Sequence, residues 1–184
     1  MFDLDGTLID TELTNATAYA SALTNFGFPF TGADILPKII GRHWTQFLPG
    51  LTRCDPMHDI HIQIVERKHA LYPNLIQQAR VNEPLIDLIQ CNIGIFKIAL
   101  VTTASRQTVN TILPLLGLEH CFDAIVTGCD VSHRKPHPEA YQCAADLLNV
   151  TSDQCLVFED SETGINSALA FGARVLKVLP FSQR

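Results

Sequence analysis

The second half of the chain alternates short apolar runs with amphipathic stretches, and this pattern constrains the fold more than any other feature. The apolar runs fall at 95–102, 123–127, 155–158 and 174–178, and the amphipathic stretches between them at 105–116, 138–149 and 163–171. Continuous apolar runs of this length are typical of buried strands, and parallel strands require crossover connections. We therefore predict an α/β fold built on a doubly wound parallel sheet, with helices on both faces.

Residues 11–80 carry a purely helical pattern, inserted directly after the first strand. The predicted helices span 11–26, 34–40, about 55–71 and 75–79, with Asp55-Pro56 opening the third and Pro73 ending or kinking it. Residues 42–44 lie in a predicted loop, and another helix over 83–91 follows Asn82. We therefore divide the chain into an α/β core, residues 1–10 and 81–184, and a helical subdomain, residues 11–80.

Asp3 and Asp5 are the first functional candidates, because they stand two residues apart on an apolar strand that ends at Gly6. Side chains alternate along a strand, so both carboxylates share one face and repel each other unless a cation offsets the charge. Ligand sets made only of oxygen favour Mg²⁺. Gly6 would end the strand and let the backbone approach a ligand closely. A strand end that runs into an acidic turn is the plainer explanation of the same residues.

Doubly wound sheets bind ligands at the carboxyl ends of their strands, and polar residues follow each predicted strand there. They are Asp3 and Asp5, then Thr102, Thr103 and Ser105, then Lys135, and finally Glu159, Asp160 and Ser161. Taken singly, Thr102 could cap a helix, Lys135 could be a solvated loop lysine, and Glu159-Asp160 could be an acidic helix start. Taken together, these residues predict a site for a metal ion and an oxyanion.

The charge and composition argue against several classes of partner. The 13 basic and 19 acidic residues give a net charge of -6, so we expect no nucleic-acid partner. No apolar run is long enough to span a bilayer and no signal peptide opens the chain, so we expect no membrane partner. The six cysteines show no Cys-x-x-Cys spacing, and we expect a reducing cytoplasm without disulfides. His58, His61 and His69 have a helical spacing that arises often without zinc.

These ordered motifs resemble those of the haloacid dehalogenase-like (HAD) superfamily, in its β-phosphoglucomutase and phosphatase branch. The resemblance is carried by Asp3-Leu4-Asp5-Gly6-Thr7-Leu8, Thr102, Lys135-Pro136 and Glu159-Asp160-Ser161 through Gly164. It covers nearly the whole chain and implies a Rossmann-like core, with the helical insert as a cap domain that closes over the site. Because only Met1 and Phe2 precede Asp3, we expect a shortened first strand. The chain also stops soon after Val178, where members of the family continue into another helix.

The resemblance also implies catalytic roles for the matching residues. Asp3 would be the nucleophile that forms an aspartyl-phosphate, and Asp5 the general acid/base. Thr102 would hydrogen-bond the phosphoryl oxygens, and Lys135 would neutralise charge between the phosphate and Asp3. Phosphoryl transfer requires in-line positioning and charge neutralisation, which agrees with these roles.

The remaining implied roles concern the metal and the substrate. Mg²⁺ would be held by Asp3, the backbone carbonyl of Asp5 and Asp160, with Glu159 a ligand either directly or through water. Gly6 and Thr103 would contribute to substrate binding at the strand ends.

The implied function is a Mg²⁺-dependent phosphatase of a small phosphorylated metabolite, such as a sugar phosphate, acting as a monomer or weak dimer. The alternative is a β-phosphoglucomutase-like phosphotransferase. Such mutases tend to carry a histidine where Asn15 stands and a cap lysine near Asn74, so both residues favour hydrolysis. A non-catalytic binding protein that kept the fold is a third possibility, which the intact acid pair and Lys135 disfavour.

Substrate specificity would come from the insert, because the strand ends supply only phosphate and metal contacts. Arg42, His43 and Trp44 follow Gly41 and offer a guanidinium, an imidazole and the single tryptophan of the chain. Arg42 can pair with a second anionic group or with sugar hydroxyls, and Trp44 can stack on a sugar face. The plainer alternative is a solvated Arg42 and a Trp44 that packs in the core of the insert.

Overall fold

The computed structural model describes residues 1–39, 44–179 and 181. The chain folds as two compact units, one made of Met1–Asp10 with Arg80–Arg184 and the other of Thr11–Ala79. Arg80 thus lies in the first unit, one residue before the predicted boundary, and its guanidinium pairs with Asp10 at 2.6 Å. None of the described helices has the length and apolarity that a bilayer crossing requires.

The helices and strands of the described residues alternate in the second half of the chain. The helices are α1 (Thr11–Asn25), α2 (Gly32–Ile39), α3 (Trp44–Thr52), α4 (Ile60–Ile76), α5 (Glu83–Cys91), α6 (Arg106–Leu116), α7 (Glu139–Leu148) and α8 (Glu162–Phe171). The strands are β1 (Ala99–Val101), β2 (Ala124–Val126), β3 (Leu156–Glu159) and β4 (Arg174–Lys177). This confirms an α/β fold with parallel strands.

The sheet is parallel and is joined at its centre by the start of the chain. β1 pairs with β2, and β3 pairs with β4, both in parallel register. Phe2 forms parallel bridges to Leu100 of β1 and to Phe158 of β3. The strand order is therefore β2–β1–Phe2–β3–β4, which places Asp3 at the middle of the carboxyl edge. The shortened first strand reaches this position with the single bridging residue Phe2.

Helix caps and apolar packing explain the elements that surround the site. Ser105 caps α6 by accepting from the Thr108 N–H at 3.2 Å, and Ser161 caps α8 by accepting from the Gly164 N–H at 3.0 Å. Tyr141 of α7 is fully buried against the sheet, in one apolar cluster with buried residues of β1, β2 and β3. This packing fixes α7 directly behind the strand ends that carry the polar residues.

The helical unit has its own core. α1 packs against α2 and α4. The buried side chains include Leu23, Ile35, Leu48 and Ile64, and the rings of Tyr19 and Phe47 meet edge to face at 5.0 Å between centroids. A separate apolar core of this kind is typical of a segment that folds as a unit of its own.

Three predictions for the helical unit are wrong: the loop position of Trp44, the helix opened by Asp55-Pro56, and the separate helix over 75–79. Trp44 was predicted in a loop and instead begins α3, whose buried Phe47, Leu48 and Leu51 give it an apolar face. Asp55 was predicted to cap a helix, but its Oδ1 accepts from the Met57 N–H at 2.9 Å in a turn, and α4 begins at Ile60. α4 then continues past Pro73 to Ile76 as one helix.

The predicted strand over 95–102 is also too long. β1 begins only at Ala99, and the side chains of Ile95 and Phe96 are 70% and 67% exposed. Lys97 is the charged residue of this run, and its exposed side chain stands between the exposed Ile95 and Phe96 and the buried residues from Ile98 onward. The strand prediction gave this signal too little weight.

Candidate active site

Lys135 is buried and connects two carboxylates at the centre of the sheet edge. Its Nζ donates to Asp3 Oδ1 at 2.7 Å, to Glu159 Oε2 at 2.7 Å and to the Val101 carbonyl at 3.0 Å. An ammonium has three hydrogens, so these contacts use all of them. The side chains of Lys135 and Asp3 are 3% and 9% exposed, which rules out a solvated loop lysine.

Glu159 is saturated with hydrogen bonds. Its Oε2 accepts from Lys135 and from the Tyr141 hydroxyl at 3.0 Å, and its Oε1 accepts from the Ser161 N–H at 3.1 Å and Oγ at 2.9 Å. A carboxylate offers about four acceptor positions, and all are engaged here. Gly164 lies so close that a Cβ there would overlap the Glu159 carboxylate, which explains the glycine.

Asp160 lies beside the turn that follows the first strand. The Thr7 hydroxyl donates to Asp160 Oδ1 at 2.9 Å. Gly6 has φ +85°, and a Cβ at this position would collide with the Asp160 carboxylate. The close approach that Gly6 permits in this structure is therefore to Asp160. The Asn82 Nδ2 donates to the Thr7 carbonyl at 2.9 Å and holds this turn from the side of α5.

Asp5 and Thr102 meet at the neighbouring strand end. The Thr102 hydroxyl donates to Asp5 Oδ2 at 3.1 Å and accepts from the Ala104 N–H at 3.0 Å. Thr102 is buried and does not cap α6, a position that Ser105 takes. Thr103 is exposed, and its backbone carbonyl lies so close to Gly128 that a Cβ at Gly128 would not fit.

Burial and charge set the protonation of the central pair. Burial raises the pKa of Asp3 well above its usual range, with Glu159 and Asp5 acting in the same direction and Lys135 against it. Burial alone would lower the pKa of Lys135, but Asp3 and Glu159 outweigh it and raise that pKa. Burial also raises the pKa of Tyr141 above its usual value. Lys135 is therefore a charged ammonium and Tyr141 a neutral hydrogen-bond donor.

The carboxylates at the strand ends fit a divalent cation. Asp3, Glu159 and Asp160 each place an oxygen within 4.8 Å of the others. The Lys135 ammonium contacts two of these carboxylates, Asp3 and Glu159, so one positive charge faces three negative ones and negative charge is left uncompensated. Oxygen-only ligands suit Mg²⁺. The donor set therefore fits the predicted metal, with Asp3 shared between the metal position and Lys135.

This arrangement provides the groups that covalent catalysis requires. Asp3 is a carboxylate beside a buried ammonium, and Asp5 is a second carboxylate two residues away, held by Thr102. A nucleophile next to a cation and near a separate acid/base can attack an electrophile and then release the product.

Some of the predicted residues lie elsewhere. Arg42 and His43 are outside the described residues. His61 is buried with its Nε2 2.8 Å from the Thr52 hydroxyl and its Nδ1 3.3 Å from the Pro56 carbonyl, so it is a satisfied core histidine. Among the described residues, the groups able to hold a metal do not include His58, His61 and His69.

Tyr141 is a site residue that the sequence reasoning missed. Ser161 was predicted among the polar residues at the strand ends, and Thr7 was noted only as part of a motif. Tyr141 lies six residues after Lys135 on the predicted helix. A polar aromatic residue in an otherwise apolar helix face that follows a candidate catalytic lysine is the signal that could have found it.

The chain belongs to the haloacid dehalogenase-like hydrolase family, whose match spans residues 1–178. It is 31% identical over 180 residues to the fructose-1-phosphate phosphatase YqaB of Escherichia coli, covering 97% of this chain and 94% of that protein. It is 30% identical over 176 residues to a phosphorylated carbohydrates phosphatase of Thermotoga maritima, covering 94% of this chain and 80% of that protein.

Solved structures also resemble this chain. The crystal structure of a putative β-phosphoglucomutase from Thermotoga maritima superposes with a TM-score of 0.82 at 30% identity, over 97% of this chain and 83% of that one. The resemblance to the HAD superfamily, with phosphatases and a β-phosphoglucomutase among the relatives, is therefore confirmed.

Proposed function

We propose that this protein is a Mg²⁺-dependent phosphatase that hydrolyses a small phosphorylated metabolite through an aspartyl-phosphate on Asp3. The observation that carries the proposal is the buried contact between Lys135 Nζ and Asp3 Oδ1 at 2.7 Å. A carboxylate that attacks a dianionic phosphate needs positive charge beside it, and a fixed ammonium supplies this without reorganisation.

The proposed reaction has two steps. The Asp3 carboxylate attacks phosphorus and the bond to the leaving oxygen breaks, while Asp5 gives that oxygen a proton. A water molecule, activated by Asp5 as base, then attacks the aspartyl-phosphate and releases inorganic phosphate. The Thr102 hydroxyl, 3.1 Å from Asp5 Oδ2, supports this role by holding the Asp5 carboxylate in place. This hydroxyl has one hydrogen, so in the substrate complex it would turn from Asp5 to a phosphoryl oxygen and leave the Asp5 carboxyl group to act on the substrate, with Gly6 and Thr103 nearby.

Asp3, Asp160 and the backbone carbonyl of Asp5 would hold Mg²⁺ in this proposal. The ion supplies charge neutralisation to the phosphoryl oxygens and orients them for in-line attack. Glu159 already accepts four hydrogen bonds. We therefore propose that it positions Lys135 and that it would contact Mg²⁺ only through a water molecule.

Two relatives support a sugar phosphate as the substrate class, since they are named for fructose 1-phosphate and for phosphorylated carbohydrates. We further propose that the helical unit serves as a cap that recognises the leaving group, with Arg42 and His43 as contacts. The strand order β2–β1–Phe2–β3–β4 supports a doubly wound, Rossmann-like core.

Release of phosphate from p-nitrophenyl phosphate and from a panel of sugar phosphates, with and without Mg²⁺, tests the proposal. We expect turnover that requires Mg²⁺ and that disappears in Asp3→Asn. A folded protein that releases no phosphate from any ester of the panel would instead support a non-catalytic binding protein.

A β-phosphoglucomutase-like phosphotransferase is the second candidate, favoured by the TM-score of 0.82 to a putative enzyme of that kind. Incubation with β-glucose 1-phosphate and glucose 1,6-bisphosphate separates the two. We expect phosphate release to exceed the formation of glucose 6-phosphate. Efficient isomerisation without phosphate release would reverse our ranking.

A further inference from the structure

Two histidines and a glutamate form a cluster on the surface segment that carries Lys135. His133 Nδ1 lies 2.8 Å from Glu139 Oε2, and His137 Nδ1 lies 3.9 Å from the same oxygen. The two imidazole rings are 4.7 Å apart between centroids. Lys135 lies between the two histidines in sequence, but its side chain points to the buried site and is not part of this cluster.

The cluster is held in shape by contacts to the backbone. The Glu139 carboxylate accepts from the Ser132 N–H at 2.7 Å and from the His133 N–H at 2.9 Å. The His137 carbonyl accepts from the buried Ser167 hydroxyl of α8 at 2.7 Å. These contacts fix the backbone of the segment and the Glu139 carboxylate, while the exposed imidazole rings can still rotate. A fixed backbone lowers the entropy that a ligand must overcome on binding.

The distances allow a metal ion to replace the present hydrogen bonds after small side-chain rotations. The 2.8 Å contact of His133 with Glu139 is an ordinary hydrogen bond, and His137 Nδ1 accepts from the Glu139 N–H at 3.2 Å, so ion binding would exchange both contacts for metal ligation. Two ligand atoms about 2.0–2.1 Å from a tetrahedral ion lie about 3.3 Å apart. The two separations from Glu139 Oε2, 2.8 Å and 3.9 Å, lie on either side of that value. Both histidine side chains are more than half exposed, so small rotations can equalise the two distances and an ion can reach the site from solvent.

We propose that His133, His137 and Glu139 form a binding site for a divalent transition-metal ion such as Zn²⁺, separate from the Mg²⁺ position at Asp3. Imidazole nitrogen with one carboxylate is a common donor set for Zn²⁺, and it differs from the oxygen-only set at the strand ends. Three protein ligands leave a fourth position for water. The site does not depend on the proposed phosphatase function.

Zn²⁺ titration of the metal-free protein, with Mg²⁺ in large excess and a chromogenic chelator as competitor, tests the site. The variants His133→Ala and His137→Ala each remove one ligand, and His120→Ala removes an exposed histidine elsewhere. All these chains keep the same six free cysteines, so binding by thiols is equal among them and cancels in the comparison.

We expect the parent protein and His120→Ala to bind one more equivalent of Zn²⁺ than the double variant His133→Ala/His137→Ala. Each single variant should bind that equivalent at least about tenfold more weakly. NMR spectra should also show the imidazole resonances of His133 and His137 shifting as Zn²⁺ is added. Equal stoichiometry and affinity in the parent and the double variant would overturn the proposal, as would unshifted resonances at saturating Zn²⁺.

Discussion

Tyr141 donates its hydroxyl hydrogen to Glu159 Oε2 at 3.0 Å, and the same oxygen accepts from Lys135 Nζ at 2.7 Å. The Lys135 Nζ also lies 5.0 Å from the centroid of the Tyr141 ring. Tyr141 therefore acts on the lysine in two ways: directly through its ring face, and indirectly through the Glu159 carboxylate that both side chains contact. This makes Tyr141 a positioning residue for the ammonium that neighbours Asp3.

Replacing Tyr141 by Phe tests that positioning role. We expect kcat to fall several-fold with KM nearly unchanged, because Glu159 and Lys135 lose one fixed contact while the ring stays in place. The free energy of unfolding should fall by about 1.5–3 kcal/mol, as for a hydrogen bond to a charged group. Tyr19→Phe, in the helical unit, is the control and should keep kcat. A Tyr141→Phe enzyme with the parent's kcat and stability would contradict the role.

Asp160→Ala and Lys135→Ala should respond differently to Mg²⁺. Asp160 is assigned to the metal, so its loss should weaken Mg²⁺ binding and high Mg²⁺ should restore part of the turnover. Lys135→Ala leaves Asp3 and Glu159 buried without their cation, a defect that added Mg²⁺ does not repair. Turnover as a function of Mg²⁺ concentration measures both. Superimposable Mg²⁺ titrations would contradict the separate roles.

We expect the Mg²⁺ dependence of turnover in Glu159→Gln to resemble that of Lys135→Ala and not that of Asp160→Ala. The Glu159 carboxylate contacts Lys135, Tyr141 and Ser161, so we expect a reduced kcat and an unchanged Mg²⁺ dependence. The exposed Glu162→Gln is the matched control and should resemble the parent. A Mg²⁺ requirement raised as strongly as in Asp160→Ala would instead make Glu159 a direct metal ligand.

Much of this site could be predicted because its members follow strands. Asp3, Lys135 and Glu159 are far apart in sequence. Asp3 and Glu159 directly follow apolar runs and Lys135 lies in the loop after the run 123–127, and parallel strands bring such positions to one edge. Tyr141 could not be placed in the same way, because it lies on a helix and reaches the site only through the tertiary packing of its buried side chain. Ile95 and Phe96 were misplaced because their apolar side chains were weighted above the neighbouring Lys97, whose exposed charge precedes the buried part of the run. α3 was missed because Pro49 and Gly50 weaken its helical pattern, while tertiary packing of Phe47 and Leu48 stabilises it.

Asp3→Asn should abolish turnover, by several powers of ten, and should also change the pH dependence of stability. Burial raises the pKa of Asp3 in the folded protein, so ionised Asp3 costs stability above its usual pKa, and this cost vanishes as pH falls toward that value. In the presence of EDTA, Asp3→Asn should therefore melt at or above the temperature of the parent at neutral pH, and the difference should shrink in acid. A variant that retained a tenth of the parent's activity would contradict the covalent mechanism.

Gly164→Ala should displace the Glu159 carboxylate and so disturb the candidate active site. A Cβ at Gly164 would overlap the Glu159 carboxylate, which is fixed by Lys135, Tyr141 and Ser161. We expect about 1–3 kcal/mol of lost stability, as for other overpacked positions, together with reduced kcat. Gly50→Ala, where a Cβ meets nothing within 4 Å, should keep kcat and should raise the stability by about 0.5–1 kcal/mol, because Gly50 lies inside α3. Urea unfolding and steady-state kinetics of the two variants measure the difference.

Arg42→Ala tests the proposed origin of specificity. We expect kcat/KM for the true substrate to fall by about tenfold or more, because the guanidinium would no longer hold the remote end of the substrate. Hydrolysis of p-nitrophenyl phosphate should stay nearly constant, since that ester offers little for the cap to recognise. Equal losses on both substrates, or none on either, would exclude Arg42 as a specificity residue.

Phe2 lies at the centre of the sheet and directly precedes the proposed nucleophile Asp3, so an intact sheet and a positioned nucleophile depend on the same short segment. The Phe2 N–H donates to the Ala99 carbonyl at 2.8 Å and the Asp3 N–H to the Phe158 carbonyl at 3.0 Å, so consecutive residues bind the two halves of the sheet. These contacts are between segments far apart in the chain, which makes them slow to form and dependent on the rest of the fold. Protection of the Phe2 and Asp3 amides from hydrogen exchange should therefore follow global unfolding, and catalytic competence would appear at the end of folding.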